Sequence, residues 1–354
     1  MPKFKVSIIG LGRICCHYLK ILNSKEFNNV NITSVCDIKK NKLVKFTRKY
    51  KHPLTFTNLN DLFKFDNPDL LIIATPSGNH YENAKLALNK GCNILIEKPI
   101  TLKPKQAEHL YDLARLNKKK IFVAFQNRYN PSIKILKNFL NKRKFGKIIT
   151  ISSRLRWCRY PNYYKDDWHG TWKLDGGVLA NQAIHILDIL LWFFGPVKKV
   201  FSVSKNVINK LEAEDTIVST IEFSSGVIGT LEATTACRPS DYEVSLSVIG
   251  EKGIVEIDGL CLNSIRKCKF NNSLFIEKNI KKKYSENIKM AYGNGHIHLL
   301  KDIFYHLNKK NIISLHSKEE ILLPIKLMHA FYKSASTLKP INLKTKPKFN
   351  KLGN

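Results

Sequence analysis

Between Lys5 and Phe125 the chain repeats one pattern, a short apolar run followed by a turn and a helix-length segment. The apolar runs are Lys5–Ile9, Val30–Cys36, Asp69–Thr75 (DLLIIAT), Asn93–Ile96 and Ile121–Phe125. Helix-like segments cover 13–23, Tyr81–Lys90 and Pro104–Asn117. Strands that are apolar throughout, rather than at alternate positions, are buried on both faces. Interleaved with helices, they predict an α/β doubly wound domain with a parallel sheet covered on both sides.

The first turn of that pattern reads Gly10-Leu11-Gly12-Arg13-Ile14-Cys15. The first glycine permits a tight turn. The second lets the backbone approach a pyrophosphate, and the helix opening at Arg13 and Ile14 offers its N-terminus to the anion. The third position of this pattern is usually Gly or Ala; here it is Cys15. Asp37 ends the second strand, 27 positions past Gly10, where the usual spacing is about 20. An acid there accepts hydrogen bonds from the adenine ribose and repels a 2′-phosphate, which favours NAD over NADP. Lys39 and Lys40 weaken that preference. An ordinary strand–helix turn is the plainer alternative.

Glu97-Lys98-Pro99 follows a buried strand at its C-terminal end, where ligands sit in open α/β sheets. A lysine beside a positively charged nicotinamide is placed to bind a substrate hydroxyl and stabilise a developing alkoxide. A simple Glu–Lys surface pair also fits. Pro99 fixes a rigid turn, with either peptide isomer open.

After Asn130-Pro131 the pattern changes. A helix at about 132–142 leads to a strand, Lys147–Leu155, and a polar, aromatic loop, Arg156–Asp175. Further strands are expected at 198–205, 215–223, 227–235, 242–249 and 253–257, and helices at about 296–309 and 317–336. This is an α+β domain with a largely antiparallel open sheet. The expected organisation is a dinucleotide-binding domain at 1–125, a substrate-binding and oligomerisation domain at 126–338, and a partly mobile basic tail at 339–354. Lys278–Lys283 (KNIKKK) reads as a loop.

Leu174–Gly195 (LDGGVLANQAIHILDILLWFFG) is apolar almost all the way round, yet it carries Asn181, His185 and Asp188. On one helix these stack on a single face, at i, i+4 and i+7. A polar stripe on a buried helix must be paired or face a wet cavity. A hydrogen-bonded core histidine and a site histidine both fit this segment taken alone. The loop 156–172 (RWCRYPNYYKDDWHGTW) suits a carbohydrate, since aromatic faces pack on sugar C–H faces and arginines bind carboxylate or phosphate oxygens. Its candidates are Arg156, Arg159, Tyr163, Tyr164 and Trp172; an aromatic lid or subunit contact is the alternative. Arg128 either holds substrate or clamps the two domains. His296 and His298 are read as capping or surface residues.

Together GLGRIC (10–15), ATPSGNH (74–80), EKP (97–99), RYNP (128–131) and DGGVLANQAIHILD (175–188) resemble the glucose-fructose oxidoreductase/inositol dehydrogenase (Gfo/Idh/MocA) family. These segments span more than half the chain in the family's order, and GNGHIHLLKDI (293–303) adds to them. The resemblance implies a Rossmann domain, a C-terminal open-sheet domain that often mediates oligomers, a nicotinamide cofactor, and a sugar or cyclitol substrate. Lys98 matches the family's active-site lysine and His185 its active-site histidine. Many members carry an aspartate four residues before that histidine; here it is Asn181, which brings no charge to support the imidazole. Cofactor contacts are expected from Gly10, Gly12, Arg13, Ile14, Asp37, Thr75, Pro76, Asn79, His80, Glu97 and Lys98. Substrate contacts are expected from Arg128, Arg156, Tyr164, Trp172, Asn181 and His185. The WxGTWxxDGG and Asn-Gln context is similar to bacterial members that act on sugars, including nucleotide-linked amino sugars.

The expected activity is hydride transfer between NAD(P) and a secondary alcohol of a nucleotide-linked amino sugar, oxidised at C3 for cell-surface glycan synthesis. An inositol or free-sugar dehydrogenase is one alternative. A non-catalytic NAD(P)- or sugar-sensing regulator on the same fold is another. Composition narrows the partners. The formal net charge is +31, but the lysines are spread along the whole chain, which reads first as solvated surface and second as attraction to an anionic substrate. No nucleic-acid motif accompanies the charge. Eight cysteines form no CxxC pair, so the expectation is reduced thiols, no metal site and a cytoplasmic protein. No uncharged apolar run reaches 18 residues, and the N-terminus lacks a signal-peptide pattern, so no membrane insertion is expected. The remaining expected partner is a second copy, in a dimer or tetramer built through the C-terminal sheet.

Overall fold

The computed structural model describes residues 4–50, 53–271, 274–288, 292–309 and 315–354. The chain forms two compact units, 1–124 with 300–321, and 125–299 with 322–354.

In the first unit the elements run β1 (Phe4–Ile9), α1 (Arg13–Leu22), β2 (Val30–Cys36), α2 (Lys40–Lys49), β3 (Leu54–Phe56), α3 (Leu59–Phe65), β4 (Leu70–Ile73), α4 (His80–Asn89), β5 (Asn93–Ile96), α5 (Pro104–Leu116) and β6 (Ile121–Val123). The sheet order is β3-β2-β1-β4-β5-β6, with every neighbouring pair parallel. Leu70–Ile73 and Ile94–Ile96 are fully buried, as continuous apolar strands between two helix layers must be. The order reverses between β1 and β4, which opens a crevice at their C-terminal ends. No element was expected between 38 and 68, yet α2, β3 and α3 lie there. Each is short, and α2 buries only Leu43 and Phe46, so its periodicity is faint.

In the second unit the chain continues with α6 (Pro131–Asn141), β7 (Ile148–Arg156), α7 (Val178–Asn181), α8 (Ile184–Phe194), β8 (Val197–Lys205), β9 (Thr216–Phe223), β10 (Ile228–Thr234), β11 (Glu243–Gly250), β12 (Gly253–Asp258), β13 (Ser264–Phe270), α9 (Leu274–Tyr284), α10 (Gly295–Asn308), α11 (Lys318–Thr337) and β14 (Ile341–Asn342). The eight-stranded sheet runs β13-β12-β11-β7-β10-β9-β8-β14, antiparallel except at β7–β10. Along β9, Ile217, Ser219, Ile221 and Phe223 are buried while Val218 and Thr220 are exposed, so the sheet has one packed face and one open face.

Four expectations change. Residues 300–321, placed by sequence in the second domain, group with the first unit. Phe304 packs 5.1 Å from Phe4 and 5.9 Å from Phe27, and Lys120 Nζ donates to the carbonyls of His306 and Lys309. The segment 278–283, expected as a loop, is part of helix α9, where Lys281 pairs with Glu277 one turn earlier at 2.9 Å. The tail from Lys339 is anchored: Ile341–Asn342 pair with β8, Leu352 is buried, and the Gly353 N–H donates to the Trp172 carbonyl at 2.8 Å. Finally, His296 lies in the core rather than at the surface, with its ring edge-on to Tyr292, whereas His298 is exposed. Strand β13 was not expected from the sequence either; its SIRKCKF buries only Ile265 and Cys268.

Candidate active site

In the first unit the glycine turn closes β1 at the crevice. Gly10 adopts φ +94°, and a Cβ there would stand 2.5 Å from the Ala74 carbonyl oxygen, so both its conformation and its neighbour demand glycine. Gly12 differs: a Cβ there would meet nothing within 4 Å, so open space adjoins the turn. Gly12 is the N-cap of α1, no side chain caps that helix, and its first turn holds no acid. Backbone N–H groups at such a helix start favour an anion. Arg13 is exposed and Ile14 partly so. Cys15 points into the core, where burial pushes its thiol up to about 12 and leaves it unreactive.

Asp37 is buried at the edge of this turn. Its carboxylate accepts the Leu11 N–H and the Lys39 N–H, each at 2.8 Å, and lies 3.4 Å from Lys42 Nζ. It therefore braces the glycine turn, and each oxygen keeps capacity for a ribose hydroxyl. Thr75 and Pro76 are partly exposed beyond β4, and Asn79 is exposed. The space over Gly12, the uncapped start of α1 and the acid at the end of β2 fit a dinucleotide.

Two residues expected to touch that cofactor turn inward instead. His80 is buried, with Nδ1 2.8 Å from the Pro99 carbonyl and Nε2 2.9 Å from the Thr75 carbonyl. Burial pushes the ring down to about 4, so it is neutral and donates one N–H at a time to these two oxygens. It ties the loop after β4 to the loop after β5. Glu97 is also buried and accepts the Tyr18 hydroxyl of α1 at 2.7 Å; burial raises its pKa. Both are held by partners within the first unit. Lys98, between Glu97 and a cis peptide bond to Pro99, is only half-buried at the C-terminal end of β5.

In the second unit the apolar segment 174–195 is not one regular helix. The Val178 carbonyl accepts from both Gln182 N at 3.0 Å and Ala183 N at 2.8 Å, which widens a turn between α7 and α8. Widened turns keep residues four or five apart on one side, and they recur at functional sites. From Val178 to Leu191, only Asn181 and His185 escape full burial. The polar stripe thus splits. Asp188 belongs to the core: Arg128 Nε and Nη2 bind its two carboxylate oxygens at 2.9 and 2.6 Å. The guanidinium lies 5.3 Å from the Phe125 ring centroid and 5.2 Å from that of Trp192. Arg128 thus clamps Asp188 inside the second unit.

Three other expected substrate residues have partners within the second unit. Arg156 forms a bidentate pair with Glu232, both bonds at 2.6 Å, and reaches Glu243 at 3.2 Å. The alternation of β7 points it away from buried Leu155, toward the open sheet face. Trp172 packs edge-on against Tyr332 and Phe349, each 5.1 Å away. Tyr164 donates its hydroxyl to Thr235 Oγ1 at 2.8 Å. Of the other loop candidates, Arg159 stacks on Trp157 and Tyr163 and pairs with Asp241 at 2.8 Å.

The structure gives partners to three residues to which the sequence assigns no role, one of them, Asp175, inside the quoted Asp-Gly-Gly motif. The Gln126 side-chain amide lies 3.5 Å from His185 Nε2. Asp175 accepts the Asn181 amide N–H at 2.6 Å and the Gly170 N–H at 2.8 Å. Glu214 anchors the start of α7: its carbonyl accepts from Val178 N, and its Oε1 accepts from Leu179 N at 2.9 Å and from the Tyr332 hydroxyl at 3.1 Å. A Cβ on Gly177 would stand 2.1 Å from Glu214 Oε2, which explains glycine at that position. Only the Asp-Gly-Gly run before the apolar helix hinted at this cluster.

Comparison with known proteins matches this architecture. Residues 4–125 match the family profile described as an oxidoreductase family with an NAD-binding Rossmann fold, and residues 133–256 match a GFO/IDH/MocA C-terminal domain. The D-glucoside 3-dehydrogenase of Escherichia coli K12 is 23% identical, covering 94% of this chain and 95% of the relative. The inositol 2-dehydrogenase/D-chiro-inositol 3-dehydrogenase of Lactiplantibacillus plantarum is 27% identical over 72% of this chain and 71% of its own. The crystal structure of the WlbA dehydrogenase from Bordetella pertussis, in complex with NADH and UDP-GlcNAcA, is similar with a TM-score of 0.88 and 26% identity, covering 96% of this chain and 98% of that one. With a Rossmann turn shaped for NAD in one unit and that C-terminal sheet domain in the other, the chain belongs to the Gfo/Idh/MocA family of NAD(P)-dependent oxidoreductases.

Proposed function

We propose that this chain is a dehydrogenase for a secondary alcohol of a nucleotide-linked amino sugar, with Lys98 and His185 as its catalytic pair. The observation that carries the reading is the partial exposure of His185 and Asn181 in a segment that is otherwise core. A satisfied core histidine would be sealed with its neighbours. The likeness to a dehydrogenase crystallised with NADH and UDP-GlcNAcA supports the substrate class.

In the oxidation direction His185 accepts the hydroxyl proton as general base. Gln126, beside Nε2, and Asn181, one turn earlier, hold the imidazole and a substrate group in register. The Lys98 ammonium stabilises the oxygen as negative charge develops on it. NAD supplies the hydride acceptor when bound. Gly10, Gly12, Arg13 and Ile14 would cradle its pyrophosphate, Asp37 its adenine ribose, and Thr75, Pro76 and Asn79 would flank it. Asp37 favours NAD, because a 2′-phosphate would meet its carboxylate.

The test is a substrate panel on the purified protein with NAD, followed by reduced-cofactor absorbance. The panel holds UDP-GlcNAcA, UDP-GlcNAc, myo-inositol and free glucose. A UDP-linked sugar is expected to exceed the others in kcat/KM by at least about tenfold, the value of one well-placed polar contact. Preference for inositol instead would favour the activity named for the Lactiplantibacillus plantarum relative, and preference for glucose a free-sugar dehydrogenase. Cofactor binding with no turnover of any compound would favour a sensor.

A further inference from the structure

We infer that Lys42 sets how far this chain tolerates a 2′-phosphate on its dinucleotide: paired with Asp37, it narrows the preference for NAD over NADP. The inference rests on the reading of Asp37 as the acid at the adenine ribose.

The chain after β2 reads Asp37-Ile38-Lys39-Lys40-Asn41-Lys42. Helix α2 begins at Lys40, so Lys42 stands in its first turn. Helix side chains tilt toward the N-terminal end, which carries the Lys42 ammonium back to Asp37. Its Nζ lies 3.4 Å from Asp37 Oδ2, and the lysine is 39% exposed where the acid is 6% exposed. The same Oδ2 accepts the Leu11 N–H of the glycine turn, and Oδ1 accepts the Lys39 N–H. The acid is therefore fixed by backbone, whereas the ammonium sits on a flexible stem at the edge of solvent.

An acid at this point accepts ribose hydroxyls and repels a 2′-phosphate. A cation beside it changes the second property more than the first. Hydroxyls donate to the carboxylate whether or not a lysine adjoins it. A phosphate feels the sum of the nearby charges, and the Asp37–Lys42 pair sums to zero. An ammonium has three donors, enough to hold Asp37 and a phosphate oxygen together.

The neighbouring charges act in the same direction. Lys39 and Lys40 are exposed, as is Arg13 at the start of α1. The first turn of α2 holds no acid and no side-chain cap, so its N–H groups add positive potential. Asp61, which with Asp37 raises the Cys36 thiol, pairs with Lys64 at 3.1 Å.

The experiment titrates the purified protein with NADH and with NADPH, followed by nicotinamide fluorescence. The readout is the ratio of the NADPH to the NADH dissociation constant. Lys42→Gln is expected to raise that ratio about fivefold, the upper value of a partly exposed charge pair. Lys42→Arg keeps the charge and is expected to hold the ratio within about twofold of the parent's. Lys49→Gln removes an equal charge from the last residue of α2. That charge lies about 10 Å further along the helix, where screening is expected to keep the change below about twofold. A ratio that rises by less than about twofold in Lys42→Gln, or as far in Lys49→Gln, overturns the inference. So does NADPH binding too weak to titrate in the parent. Asp37→Ser separates the two readings when the Lys42→Gln ratio does not move. Weaker NADH binding in that variant then faults Lys42 alone, and unaltered NADH binding faults the ribose reading of Asp37 as well. No sugar is present, so the outcome is independent of the substrate panel.

Discussion

A buried ion pair explains why Asp188 can sit in the core of α8. Arg128 supplies two hydrogen bonds in a fixed fork, and its guanidinium lies within cation–π distance of two aromatic rings. Removing one partner strands the other in low dielectric. Arg128→Ala is expected to destabilise by about 3–5 kcal/mol, read in denaturant unfolding. Arg128→Met/Asp188→Leu is expected to recover most of that loss. A mild effect of the single variant would mean that water reaches the pair. At this scale the sequence was a partial guide. Lys98, Asp37 and His185 stand where the pattern placed them, because strand ends and helix faces are set by periodicity. Arg156, Glu97 and His80 are held by partners within the protein (Glu232, Tyr18, and the carbonyls of Thr75 and Pro99) that lie 5 to 79 positions away. Polarity alone cannot say which polar residues are already spoken for.

The decisive element is the α7–α8 segment and the polar groups that hold it. Its apolar pattern made a helix legible, but the widened turn at Gln182–Ala183 has no proline or glycine to announce it. Glu214, 4% exposed, grips the N-terminal end of α7. Burial pushes its carboxyl from 4.5 up to about 8. Between those values the folded protein holds a proton that the unfolded chain has released, so stability falls as pH rises through the window. The total change is on the order of a few kcal/mol. Glu214→Gln keeps the shape and removes the titration. Its unfolding free energy, measured by denaturant between about pH 5 and 9, is expected to vary less with pH than the parent's. Equal slopes would place the ionisation elsewhere. The strand β13 escapes the pattern for a related reason: its charged residues leave an apolar face of only Ile265 and Cys268.

On the scale of the whole molecule, two independent patterns were legible. A continuous apolar strand code gave the parallel sheet, and alternation gave the half-open antiparallel sheet. What pattern could not give was the assignment of 300–321 to the first unit, since that depends on Phe304 meeting Phe4 and Phe27. Among the described residues, no helix is long and apolar enough to cross a membrane. If Lys98 and His185 perform chemistry rather than hold structure, their loss separates turnover from NAD binding by the first unit. The direct measurement is turnover and NAD affinity of purified Lys98→Ala and His185→Ala with the best UDP-linked sugar. Each variant is expected to lose at least about 100-fold in kcat while the Kd for NAD stays within about twofold. Unchanged turnover in either variant, or a loss of turnover matched by a loss of NAD binding, would contradict the claim.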